Sequence, residues 1–209
     1  MIFIKRRSQK IVAPFLALLL LAGLLTACGF NPSGNAPGET DASGAGRGSA
    51  TPESSQPGGA DLPGSKSGAD LPGSYTVPDG WVEMEQYSTK DKIFYAEEGR
   101  EKDRQPDNIS VEVKTNRYGA EDHMKFRDAI VRQLTMQASR VGAELTGDGT
   151  HTAQGDILYI FTISEEDVVT RQFYIVGDRR YCLIHLTNFT GSESADEAAR
   201  AMADSFVWD

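Results

Sequence analysis

From residue 76 onward the apolar positions fall into short alternating runs and two longer stripes. Ile109, Val111 and Val113 alternate with Ser110, Glu112 and Lys114, the pattern of a half-buried strand. Phe126, Ile130, Leu134 and Ala138 stand four apart and predict a helix over about residues 121–140. After Gly142, apolar runs at 157–163, 169–176 and 181–189 predict three strands. Glu165-Glu166-Asp167 links the first pair, and Gly177-Asp178 is a two-residue hairpin signal between the second. Upstream, a short strand runs into the Pro78-Asp79-Gly80 turn before Trp81, strands follow at 82–87 and 93–96, and residues 97–108 read as a charged loop. Ser194 and Glu197 spell a capping box for a last helix whose stripe runs through Ala198, Met202 and Phe206. An antiparallel sheet of about six or seven strands, apolar on both faces, with one helix in the middle and one at the end predicts an α+β fold, an α/β/α sandwich with a central antiparallel sheet. In the last strand Cys182, Ile184 and Leu186 share a face that should meet a helix. Tyr181, Leu183, His185 and Thr187 share the other, which is mixed and the better edge for a pocket or contact surface.

The first 27 residues follow another rule. Lys5, Arg6, Arg7 and Lys10 precede an almost wholly apolar run over residues 11–25, the order of a secretory leader. That run is short for a membrane-spanning helix, which needs about 20 apolar residues. It ends in Leu25-Thr26-Ala27-Cys28, which resembles the bacterial lipobox. The resemblance implies that the thiol of Cys28 takes a diacylglycerol, that cleavage leaves Cys28 first, and that the domain is lipid-anchored on the extracytoplasmic face of the cell membrane. Several acyl chains on one cysteine, palmitate among them, hold far better than one.

Residues 28–75 are dominated by Gly, Ser, Pro and Ala, too poor in apolar mass to offset ordering entropy, and are expected to form a disordered tether. A repeat lies within them. Gly59-Ala60-Asp61-Leu62-Pro63-Gly64-Ser65 recurs nine positions later as Gly68-Ala69-Asp70-Leu71-Pro72-Gly73-Ser74, and reads as duplicated linker. The chain is therefore divided into a leader at 1–27, a lipidated tether at 28–75 and one folded domain at 76–209. Its net charge of −9 argues against nucleic acid, whose phosphates call for clustered Lys and Arg.

Three stretches carry a family resemblance: the opening Val77-Pro78-Asp79-Gly80-Trp81, the alternating strand at 108–113 before a long helix, and the ending Asp204-Ser205-Phe206-Val207-Trp208. Together they resemble the PsbP/Mog-like family, in which many bacterial lipoproteins occur. The resemblance implies the sandwich and action through protein contacts, and it carries no catalytic residue set. Trp81, Phe206 and Trp208 are then core and edge aromatics.

Individual side chains add little chemistry. His123, His151 and His185 are dispersed, and no Cys-x-x-Cys occurs, so no metal or cofactor residue is predicted. Asp103, Asp107 and the Glu165–Asp167 trio could attract calcium but match no EF-hand loop. Cys182, on an apolar strand face, should behave as a small hydrophobe. Asn108-Ile109-Ser110 and Asn188-Phe189-Thr190 match the glycosylation pattern by accident. The reading is a non-catalytic binding or scaffolding lipoprotein with a protein partner in the envelope. Its alternative is a solute-binding or hydrolytic lipoprotein with a site around His185, Tyr174 and Arg171.

Overall fold

The computed structural model describes residues 65–66 and 71–209 of the 209-residue chain. The leader, the lipobox through Cys28 and most of the tether lie outside the described residues. The chain divides into Met1–Ser55 and Gln56–Asp209, and every described residue belongs to the second unit. No helix among the described residues is long and apolar enough to cross a membrane.

In chain order the elements are β1 (Ser65–Lys66), β2 (Tyr75–Thr76), β3 (Trp81–Glu83), β4 (Lys92–Glu97), β5 (Asn108–Thr115), α1 (His123–Val141), β6 (Glu144–His151), β7 (Ile157–Glu165), β8 (Val168–Gly177), β9 (Arg180–Asn188) and α2 (Glu193–Ser205). β1 and β2 pair with each other. The other seven strands form one antiparallel sheet in the order β3-β4-β5-β9-β8-β7-β6. The expected α/β/α sandwich is the architecture observed.

Period-two alternation sorts the strands between two cores. Ile93, Ile109, Val111, Cys182, Ile184, Leu186, Phe173 and Leu158 pack with the alanines and Met202 of α2. Tyr159, Phe161, Tyr174, Tyr181 and Leu183 point the other way and pack with Phe126, Ile130, Leu134 and Ala138 of α1. The stripe spaced four apart is the whole buried face of α1, and Gly142 closes that helix in the left-handed conformation at φ +72°. Leu183, on the mixed face, is core because it packs in the cluster that α1 covers.

Four expectations change. The domain starts before residue 76: Leu71 and Tyr75 are 6% and 1% exposed, and the tyrosine hydroxyl bonds Tyr95 at 2.7 Å. The end of the second repeat copy is therefore part of the fold. Strand β6 escaped the pattern because its sequence is polar with two glycines. A Cβ on Gly147 would stand 2.7 Å from the Phe161 ring, so close packing on that aromatic excludes a side chain there. The strand expected at 82–87 stops at Glu83, where the chain turns with Tyr87 N donating to Met84 O. Finally, α2 begins at Glu193, so Ser194 lies inside it and its hydroxyl donates to Glu97 Oε1 at 3.0 Å instead of capping.

Candidate functional site: a polar row on the sheet

The face of the sheet toward α1 changes character from one side to the other. Around Tyr159, Phe161, Tyr174, Tyr181 and Leu183 it is apolar and lies against that helix. Toward β5 and β4 the same face turns polar. The register aligns Phe94, Ser110, His185 and Gln172 in one cross-strand row, and Lys92, Glu112, Leu183 and Tyr174 in the next. Side chains of such neighbours approach within about 5 Å.

Three of the polar groups are withdrawn from solvent, while Lys92, Phe94 and His185 are half-buried. Ser110 is 2% exposed and Glu112 5%, and Gln172 is also buried. Glu112 stands between two ammonium groups, with Lys114 Nζ 3.1 Å from Oε2 and Lys92 Nζ 3.9 Å from Oε1. Burial lowers the pKa of Lys92, and Glu112 partly opposes that shift. Lys92 also lies over the Phe94 ring at 5.1 Å. His185 is held near pKa 4 by burial first and by the charge of Lys92 second, so its ring is neutral near pH 7. Gln172 Oε1 accepts a hydrogen bond from Tyr174 Oη at 2.7 Å, which fixes the amide beside the imidazole. Burial raises the Tyr174 pKa well beyond its ordinary value, so that phenol remains a donor.

Two enclosed atoms of this group, Glu112 Oε1 and His185 Nδ1, have no hydrogen-bond partner among the described residues. A buried polar atom left so costs about 1–3 kcal/mol, more when charged. The row thus offers a carboxylate oxygen, a neutral ring nitrogen, a hydroxyl and an amide, set between two cations. That chemistry suits recognition of a polar partner by hydrogen bonds and charge.

The trio His185, Tyr174 and Arg171 is divided by the sheet. His185 and Tyr174 share the α1 face, whereas Arg171 points to α2 and pairs with Asp196 at 3.2 Å. Gln172, not Arg171, is the residue that joins the other two. Strand alternation could have found it, because Thr170, Gln172 and Tyr174 are in phase. Ser110 and Glu112 were visible as polar positions, but nothing local marks them as buried.

The other candidates have structural employment. Asp107 accepts from Phe189 N at 2.6 Å, from Thr190 N at 3.0 Å and from the Thr190 hydroxyl, so it holds the loop after β9. Asp103 pairs with Arg100, and Glu165 ends β7 in register with Val168. His123 Nδ1 meets Tyr159 Oη at 2.7 Å, and His151 lies exposed on the edge strand β6. Among the described residues no three His, Cys, Asp or Glu gather as a metal site. Cys182 is free and fully buried, and burial pushes its thiol pKa well up. Asn108 and Asn188 are buried, which bars glycosylation of the folded domain at either. Trp81 is buried, and Trp208 meets Phe206 edge to face at 4.8 Å under the Arg180 guanidinium.

No protein-family model and no curated protein matches the sequence. Among solved structures, the chain is similar to the solution structure of cyanobacterial PsbP (CyanoP) from Synechocystis sp. PCC 6803. The identity is 11% over 74% of this chain and 98% of that one, with a TM-score of 0.43. It is also similar to a crystal structure from Bacteroides thetaiotaomicron VPI-5482 at 15% identity and a TM-score of 0.38. That match covers 69% of this chain and 47% of the other.

Proposed function

We propose that the protein is a lipoprotein, acylated at Cys28 and held on the extracytoplasmic face of the cell membrane. On this reading its domain is a non-catalytic binding module that grips another envelope component with the polar half of its α1 face. The observation that carries the binding role is the pair of enclosed atoms Glu112 Oε1 and His185 Nδ1, neither of which has a hydrogen-bond partner among the described residues. Groups of that kind find partners in native proteins, and a bound partner supplies them. The basic leader and Leu25-Thr26-Ala27-Cys28 support the anchor. An extracytoplasmic protein partner fits a surface whose cations, Lys92 and Lys114, flank a carboxylate in alternating sign.

The anchor is tested by metabolic labelling with a fatty-acid probe. The wild-type chain should incorporate label and lose its leader, while Cys28→Ala should remain an unlabelled precursor. Equal labelling of both would refute acylation at Cys28. The binding role is tested by recovering the full chain from membranes under mild crosslinking. A partner retained by wild type and lost on Glu112→Lys supports it, and identical recovery from both chains counts against the polar face.

A further inference from the structure

The segment Leu71-Pro72-Gly73-Ser74 is seated in a groove by features that a short peptide can satisfy alone. Leu71 is buried, and Gly73 N donates to Leu71 O at 2.8 Å in a tight turn. Ser74 exchanges two backbone hydrogen bonds with Val207, at 2.9 and 2.8 Å. Gly73 has φ +152°, and a Cβ there would stand 2.5 Å from Phe206 Cζ and 2.9 Å from the Val207 carbonyl. Phe206 is fully buried and has no room to yield. The groove therefore demands Leu, any residue, Gly, then one residue that bonds through its backbone. The chain contains that sequence twice, because Leu62-Pro63-Gly64-Ser65 repeats it nine positions earlier. The end of the first copy is already close. Ser65 pairs with Thr76, two residues beyond Ser74, and paired strands lie about 4.8 Å apart.

We infer that the two copies are interchangeable ligands for the Phe206–Val207 groove, with 71–74 the resting occupant and 62–65 a spare that takes its place within the same molecule. The resting preference follows from the next residue. Ser74 is followed by Tyr75, whose ring is buried against Tyr95, whereas Ser65 is followed by Lys66. Exchange in the same chain is favoured over exchange between chains, because a linker of nine residues gives the spare copy an effective concentration in the millimolar range. The exchange moves the point where the N-terminal segment leaves the domain by one repeat. The tether thus has two lengths, shorter by nine residues when the spare copy is seated.

The test follows amide hydrogen exchange at Val207, whose N–H is bonded to Ser74 in the resting state, on the full chain in detergent. Gly73→Val blocks the resting copy and Gly64→Val blocks the spare. Gly64→Val alone should leave Val207 protection unchanged. Gly73→Val should lower it by less than about tenfold, and the double variant by about a hundredfold or more, as for an opened segment. Gly73→Val should also remain monomeric at all concentrations. A second comparison removes residues 59–67, one repeat period, and there Gly73→Val alone should show the double variant's loss. The inference is overturned if Gly73→Val in the full chain loses protection as completely as the double variant or fails to fold. Rescue that comes with dimer formation overturns it as well, since it places the spare copy in another molecule.

Discussion

Strand β9 presents two sides that are treated in opposite ways. Toward α2, Cys182, Ile184 and Leu186 are fully buried and continue through Val111, Ile109 and Phe173 into one unbroken apolar layer. Toward α1, Tyr181 and Leu183 are core, but His185 and Thr187 lie beyond the apolar cluster that α1 makes, opposite Ser110 and Asn108. The α2 side is an apolar layer bordered by the Arg171–Asp196 ion pair. The α1 side holds a continuous polar row in which Glu112 Oε1 and His185 Nδ1 lack hydrogen-bond partners among the described residues, and the proposed contact surface lies there. The difference shows that alternation decides which residues share a face, while the extent of the covering helix decides which of them are core.

This comparison can be broken by substitution on each side. The largest effect is expected at Ile184→Ala, which leaves a cavity in the α2 layer and should cost about 2–5 kcal/mol in denaturant unfolding. A loss below 1 kcal/mol, roughly that of an exposed site, would mean the α2 layer is not the main core. Glu112→Ala comes next. It strips Lys92 and Lys114 of their shared carboxylate and should cost about 1–3 kcal/mol, with Glu112→Gln nearer the low end. The penalty should be the same in high salt if the pair is enclosed, and should vanish there if it is exposed.

The smallest effect is at His185, and pH resolves it. Its folded pKa, about 4, lies below the ordinary 6.5, so the unfolded chain binds the proton first as pH falls. The contribution is complete above pH 6.5 and is lost progressively down to about pH 4, a decline of at most about 3 kcal/mol. Lys92 faces the ring as a cation and deepens that decline. Replacing His185 by Leu should leave stability near pH 7 within about 1 kcal/mol of wild type, because the enclosed Nδ1 bonds nothing. The slope between pH 6.5 and 5 should flatten in that variant, and an unchanged slope would assign it to other groups.

Much of this was legible in the residues. Four-residue spacing marked the buried face of α1, and the phase of 182, 184 and 186 marked the α2 layer. Three things were not. Strand β6 is an edge strand whose glycines make room for Tyr159 and Phe161, rings supplied by another strand. The docking of Gly73 and Ser74 depends on Phe206 and Val207, distant in sequence, so a tether-like composition concealed it. Burial of Glu112 depends on its neighbours across β4 and β9, and period-two alternation alone marks such a position as outward. In each case a long-range contact overrode a local signal.

The central claim is that the polar half of the α1 face is a contact surface. It is tested most directly by placing a photoreactive phenylalanine analogue at Phe94, which is half-buried beside Lys92, in the full chain in intact cells. The same analogue at Met136, which is exposed on α1, serves as the control. The account predicts one discrete adduct from position 94 that disappears with Glu112→Lys, and none of that size from position 136. The same adduct from both positions, or an adduct from 94 that is indifferent to Glu112→Lys, would contradict it.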